Sequence, residues 1–97
     1  MSVPPSSDAK INVILADDHP MLRAGLLTII NTQPDMHVIG ESASGAETIQ
    51  VIRRLAPDVV VLDIMMPDFS GLDILAEIRR GQSSAGRSIQ VVMFSMV

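Results

Sequence analysis

Cysteine is missing altogether from these 97 residues, lysine occurs once, at Lys10, and 7 basic residues face 11 acidic ones. Without cysteine the chain forms neither disulfides nor a thiolate metal site, which fits a reducing interior. A formal charge of −4 and an isoelectric point near 4.8 give no diffuse positive field for nucleic-acid phosphates. This segment by itself is therefore a poor DNA-binding candidate. No apolar run is long enough to span a bilayer, and the opening MSVPPSSDAK lacks the apolar core of a secretion signal. Nor is there a GxGxxG or Walker-type glycine-lysine stretch, which disfavours a nucleotide-binding enzyme. These absences leave a soluble cytoplasmic protein with no membrane association as the expectation.

What is present is apolar and regularly spaced. Hydrophobic residues make up 47% of the chain, enough to bury the core of a single domain. Residues 1–9, with two prolines and three serines, read as a disordered tail outside the fold. KINVILADD (10–18) is a short β-branched run ending in two acids, consistent with a strand buried on both faces. HPMLRAGLLTIINTQ (19–33) predicts an amphipathic helix, with Pro20 at its start and Leu22, Leu26, Ile29 and Ile30 at helical spacing. DMHVIGESAS (35–44) reads as a second strand and GAETIQVIRRLAP (45–57) as a second helix, with Ile49, Ile52 and Leu55 inward and Arg53 and Arg54 outward. Pro57 stops that helix. DVVVLDIMMP (58–67) is the third strand, and its unbroken apolar run marks it as central. SGLDILAEIRRGQ (70–82) predicts a third helix with Leu72, Leu75 and Ile78 on its inner face and Gly81 near its end. SIQVVMFSMV (88–97) is a fourth strand. Strands alternating with helices over short loops imply right-handed crossovers and a parallel sheet, so the class is α/β.

In an open parallel sheet, ligands bind beyond the carboxyl ends of the strands. Asp17 and Asp18 end strand one, Asp63 ends strand three and Ser95 ends strand four, so all four share one rim. Gathering three like charges costs energy unless a cation neutralises them. Magnesium suits such a set, because it takes oxygen ligands and is held by one or two carboxylates together with a phosphate oxygen. An aspartate beside it can act as the nucleophile of phosphoryl transfer and become an acyl phosphate. A single acid here would read equally well as a loop residue, and Asp18 or His19 could simply cap the helix at Pro20. Three acids on one rim are much harder to explain that way.

Other polar residues have blander readings. The only histidines are His19 and His37. A transition-metal centre would place His19 beside Asp17 and Asp18, but with no second convergent histidine that centre is disfavoured. Asp68, Asp73 and Glu77 are spaced like the solvent face of a loop and helix, while Arg79 and Arg80 suit the helix dipole. Met65, Met66 and Met93 read as packing, and Ser70 with Gly71 could alternatively form a phosphate-binding turn.

Together, ILADDHPMLRAGL, PDVVVLDIMMPDFSGLDIL and VVMFS resemble the receiver domain of bacterial two-component response regulators. DDHP with the following R-x-G-L is similar to the NarL/FixJ subfamily, whose output is of the LuxR type. The resemblance spans residues 10–97 as a receiver domain. It implies a CheY-like, flavodoxin-like doubly wound parallel sheet with strand order 2-1-3-4. It also implies that Asp63 is the phosphoacceptor, that Asp17, Asp18, Asp63 and the Met65 backbone carbonyl hold Mg2+, and that Ser95 is the switch hydroxyl. The implied partners are a sensor histidine kinase and, through a helix-turn-helix domain not in this sequence, DNA. The chain would then be no enzyme beyond accepting its own phosphoryl group and slowly losing it.

One departure stands out. The family pattern continues with a fourth helix, a fifth strand ending in a lysine and a fifth helix, and none of these is in this sequence. Lys10 sits at the wrong end of strand one to serve as that lysine. Strand four would be an exposed apolar edge, so a truncated form or an edge-paired or domain-swapped homodimer is expected. A phosphorylation-independent interaction module is the rival reading. An aspartate-nucleophile phosphatase ranks last, since the second acid it needs two residues after the nucleophile is Met65 here.

Overall fold

The computed structural model describes residues 10–81 and 88–95. The tail expected over residues 1–9, the predicted helical end at Gln82 and the last two residues of the predicted fourth strand lie outside them. Strands and helices alternate as β1 (Ile11–Ala16), α1 (Pro20–Asn31), β2 (Met36–Ser42), α2 (Gly45–Leu55), β3 (Val59–Asp63), α3 (Gly71–Gly81) and β4 (Gln90–Phe94). The strands form one parallel sheet in the order β2-β1-β3-β4. The α/β class and the strand order are thus as expected.

Because side chains alternate across a strand, the two central strands feed two cores. On one face Ile14 and Ala16 of β1 and Val60 and Leu62 of β3 pack with Val51 and Ile52 of α2 and with Ile74 and Ile78 of α3. On the other, Val13 and Leu15 pack with Ile30 of α1 and Val38 of β2. This two-sided burial explains why the central strands read as unbroken apolar runs rather than alternating ones. Over β4 the second face is open among the described residues, with Val92 53% exposed.

The structure resolves the inner face of α1 and corrects that of α3. In α1 it is Ile30 that is buried, while its neighbour Ile29 is 61% exposed, because adjacent helical residues point about 100° apart. In α3 the inner face is Gly71, Ile74 and Ile78, and Leu72 is 67% exposed. Gly71 sets that rotation: a Cβ there would lie 3.0 Å from the Ile64 Cα, so its bare backbone must face the sheet.

Helix α2 has both ends built for it. The Ser44 hydroxyl accepts from the Glu47 N–H at 3.1 Å, and the Glu47 carboxylate accepts from the Ala43 N–H at 2.8 Å, a reciprocal cap. At the other end Ala56 turns the chain in the left-handed region, with φ 47° and ψ 67°, just before the buried Pro57. A left-handed alanine is strained where glycine is not. Ala56→Gly is accordingly expected to stabilise the fold by roughly 0.5–1 kcal/mol once the extra unfolded-state freedom of glycine is subtracted. Chemical denaturation checks this, and a lower midpoint for Ala56→Gly would refute the strain argument.

Candidate functional site

The register that builds the sheet also gathers the acids. Ala16 pairs with Leu62 and Asp63 pairs with Phe94, so the carboxyl ends of β1, β3 and β4 lie side by side. Asp17 and Asp18 follow β1, Asp63 closes β3 and Ser95 follows Phe94. Asp17 and Asp63 are completely buried, Asp18 is half-buried and Ser95 is exposed. One ligand atom from each of Asp17, Asp18, His19 and Asp63 falls within 4.8 Å of the others.

Backbone contacts aim these carboxylates. The Asp17 N–H donates to the Ser42 carbonyl at 3.0 Å, and the Arg23 guanidinium donates to the Asp17 carbonyl at 2.6 Å, which ties the β1–α1 turn to both β2 and α1. Asp17 Oδ1 accepts from the His19 N–H at 3.1 Å, and Asp63 Oδ1 accepts from the Met65 N–H at 2.9 Å. Three further oxygens, Asp17 Oδ2, Asp18 Oδ1 and Asp63 Oδ2, are buried with no hydrogen-bond partner. Burying carboxylate oxygens without a hydrogen bond is costly, and three residues of this one rim each carry such an oxygen. Such a set of hard oxygen donors fits a magnesium-like cation, whose binding would satisfy them together.

His19 occupies the mouth of this group. It stands at the N-cap position of α1 but makes no side-chain cap, so it does not serve the role a helix start suggests. Its Nδ1 instead lies 2.8 Å from Asp17 Oδ1 and 3.2 Å from both Asp18 Oδ1 and Asp63 Oδ2. The hydrogen bond to Asp17 raises the His19 pKa above its usual value, partial burial opposes this, and the charges of Asp18, Asp17 and Asp63 reinforce the rise.

A second feature was not legible as a linear motif. The Asp68 carboxylate, in the loop after β3, accepts from the backbone N–H groups of Gly45 and Ala46 at 2.6 and 3.0 Å, capping α2 from 22 residues away or more. Phe69 lies over Gly45 so closely that a Cβ there would meet the Phe69 Cβ at 2.7 Å. Asp68 therefore clasps the loop carrying Met65 to the start of α2, where the helix dipole also favours an anion. Asp73 and Ser70 form their own cap at the start of α3, with each residue's backbone N–H reaching the other's side chain. That pairing accounts for Ser70 structurally. Glu77 pairs with Arg80 and Arg53, and Arg79 donates to the Ile89 carbonyl.

Asp68 gives a pH dependence with a definite sign. Its backbone bonds to Ala46 and then Gly45 lower its pKa below 3.8. The clasp thus contributes fully above that unfolded value and is lost as pH falls through the lower folded value. The stability gap between wild type and Asp68→Ala is expected to be constant near neutrality and to close in the acid range below 3.8. Denaturation midpoints across that range test it, and a gap that stays constant there would contradict it.

The sequence matches the response regulator receiver domain family over residues 13–97, and the chain belongs to that family. It is similar to the nitrate/nitrite response regulator NarL of Escherichia coli K12, with 38% identity over 91 residues, 94% of this chain and 40% of that protein. It is also similar to the response regulator VraR of Staphylococcus aureus, 39% identical over 70 residues, 72% of this chain and 34% of that protein. This chain thus spans well under half the length of either relative. Among solved structures, the receiver domain of NarL from Mycobacterium tuberculosis superposes with a TM-score of 0.82 at 30% identity, over 91% of this chain and 68% of that one. A LuxR-family DNA-binding response regulator from Staphylococcus aureus gives 0.79 at 31% identity, over 90% of this chain and 69% of that one. The fold is the CheY-like receiver fold.

Proposed function

We propose that this chain is the phosphoacceptor domain, over residues 10–97, of a NarL-type response regulator, with Asp63 receiving the phosphoryl group from a histidine kinase. The observation that carries the reading is the state of Asp63: a fully buried carboxylate whose Oδ1 is held by the Met65 N–H while Oδ2 accepts no hydrogen bond. Holding one oxygen fixes the plane of the carboxylate and leaves the other as the nucleophile.

Asp17, Asp18 and Asp63, with the Met65 backbone carbonyl, would hold Mg2+, which supplies neutralisation of phosphate charge during transfer. Asp63 Oδ2 forms the new bond to phosphorus as the bond from phosphorus to the donor breaks, and the donor's leaving group takes the electron pair. The product is an acyl phosphate on Asp63. Arg23 steadies Asp17 from α1, and Asp68 keeps the Met65 loop against α2. The added charge of about −1.5 to −2 would draw the Ser95 hydroxyl toward the new phosphate oxygens and move the β4 end.

In the whole protein the switch would act on a LuxR-type helix-turn-helix that binds DNA, in the cytoplasm, and a homodimer, edge-paired or domain-swapped, would cover the Val92 face. Among the described residues no helix is long and apolar enough to cross a membrane. The rival, a phosphorylation-independent interaction module, draws on that open face and on Lys10, which precedes β1 at the end away from the rim. Intact-mass measurement after incubation with Mg2+ and acetyl phosphate separates the two. One added phosphoryl group that requires Mg2+ is the expected result, and no gain in the full-length protein favours the rival.

A further inference from the structure

The cluster contains one atom that a magnesium site does not need, the His19 Nδ1. We propose that His19 is a fourth side-chain ligand of this centre, giving three carboxylates and one imidazole that favour Mn2+, Co2+ or Zn2+ over Mg2+. This rests on the reading of the rim as a cation site and deepens it.

The geometry supports it in three ways. First, Nδ1 is 2.8, 3.2 and 3.2 Å from oxygens of Asp17, Asp18 and Asp63. Donor atoms sharing one cation at about 2.0–2.1 Å stand roughly 2.9–3.4 Å apart, for cis octahedral or tetrahedral ligands. The three distances from the imidazole nitrogen are compatible with that spacing. Second, a proton on Nδ1 cannot serve all three carboxylates. It can hydrogen-bond Asp17 Oδ1, yet Asp18 Oδ1 and Asp63 Oδ2 remain without a hydrogen-bond partner although Nδ1 lies within 3.2 Å of each. A cation between them satisfies every one of these atoms. Third, the ring is held in place without being sealed in. The His19 N–H is tied to Asp17 Oδ1, Pro20 follows at the first helical position, and the side chain is 43% exposed. The exposed ring can therefore release its Nδ1 proton to solvent on binding a metal, the neutral imidazole keeping its other proton on Nε2.

The acidity of the cluster alone would not justify this. What does is that Asp63 is fully buried and that its Oδ2, which has no hydrogen-bond partner, lies 3.2 Å from the His19 Nδ1. Nitrogen donors discriminate between cations: imidazole suits the later divalent transition ions and zinc, whereas Mg2+ prefers oxygen and keeps its waters. A second histidine is not required for that preference, because one imidazole among three hard oxygens already separates the two classes.

The test is pulsed electron paramagnetic resonance of the wild-type protein loaded with Mn2+, together with calorimetric titrations of Mg2+, Mn2+ and Zn2+ into wild type, His19→Ala and His19→Asn. Nitrogen modulation on Mn2+ in wild type is expected, and it should vanish in both variants. Loss of His19 should weaken Mn2+ and Zn2+ at least about tenfold while Mg2+ stays within about twofold. Mn2+ that binds without nitrogen modulation overturns the proposal while leaving the oxygen site intact, and so does an equal change for all three cations. If none of the cations binds wild type, the cation-site reading itself falls along with it. The modulation is read on the unaltered chain, so a variant that fails to fold does not blunt the test.

Discussion

Asp63→Asn is expected to take up no phosphoryl group from acetyl phosphate in the presence of Mg2+, while its fold becomes more stable than wild type in metal-free buffer. The first half follows from removing the nucleophilic oxygen: an amide oxygen cannot form the acyl phosphate. The second half is the more informative. Asp63 is fully buried, its Oδ2 lacks a hydrogen-bond partner, and Asp17 and Asp18 crowd it with like charge. An amide removes one charge and brings an N–H2 that can donate to a neighbouring orphan oxygen, worth about 1 kcal/mol. The loss of an ion-pair partner of His19 offsets part of that gain. Magnesium should reverse the order, because the wild type, with all three carboxylates, gains more binding energy from it than the variant does. Denaturation of both proteins with and without Mg2+ checks this, and a variant less stable than wild type in metal-free buffer would mean the rim acids are not strained against one another.

Ile74→Ala is expected to cost about 2–5 kcal/mol, whereas Leu72→Ala should stay within roughly 0.5 kcal/mol of wild type. Ile74 is completely buried among Val60, Leu62 and Ile78, so its truncation leaves a cavity between α3 and the sheet. Leu72 is 67% exposed and loses little. Urea midpoints decide the matter, and equal losses at the two positions would mean that α3 is rotated from the orientation described above.

That pair also marks where sequence reasoning reached and where it stopped. The strands were legible because VILA and VVVL are continuous apolar runs, the signature of a sheet buried on both faces. Asp17, Asp18 and Asp63 were legible because parallel topology sends strand ends to one rim, and the structure does bring them together. Helix rotation was not. Leu72, Leu75 and Ile78 and Gly71, Ile74 and Ile78 both satisfy helical spacing, and only the close approach of Gly71 to Ile64 selects the second. The Asp68 clasp was equally hidden, since it joins residues 22 and 23 positions apart, and a carboxylate with local solvent-face spacing gives no sign of such a partner. His19 has no second histidine near it in the sequence to mark it as a ligand. Its convergence with three carboxylates is set by the turn between β1 and α1, which spacing alone does not describe.

The central claim is that one particular carboxylate, Asp63, accepts the phosphoryl group. Treating the protein with Mg2+ and acetyl phosphate, reducing the acyl phosphate with borohydride and locating the resulting homoserine by tandem mass spectrometry tests it directly. The homoserine is expected at position 63 and nowhere else. Homoserine at Asp17, Asp18 or Asp68, or none at all in Mg2+-loaded full-length protein, would contradict it.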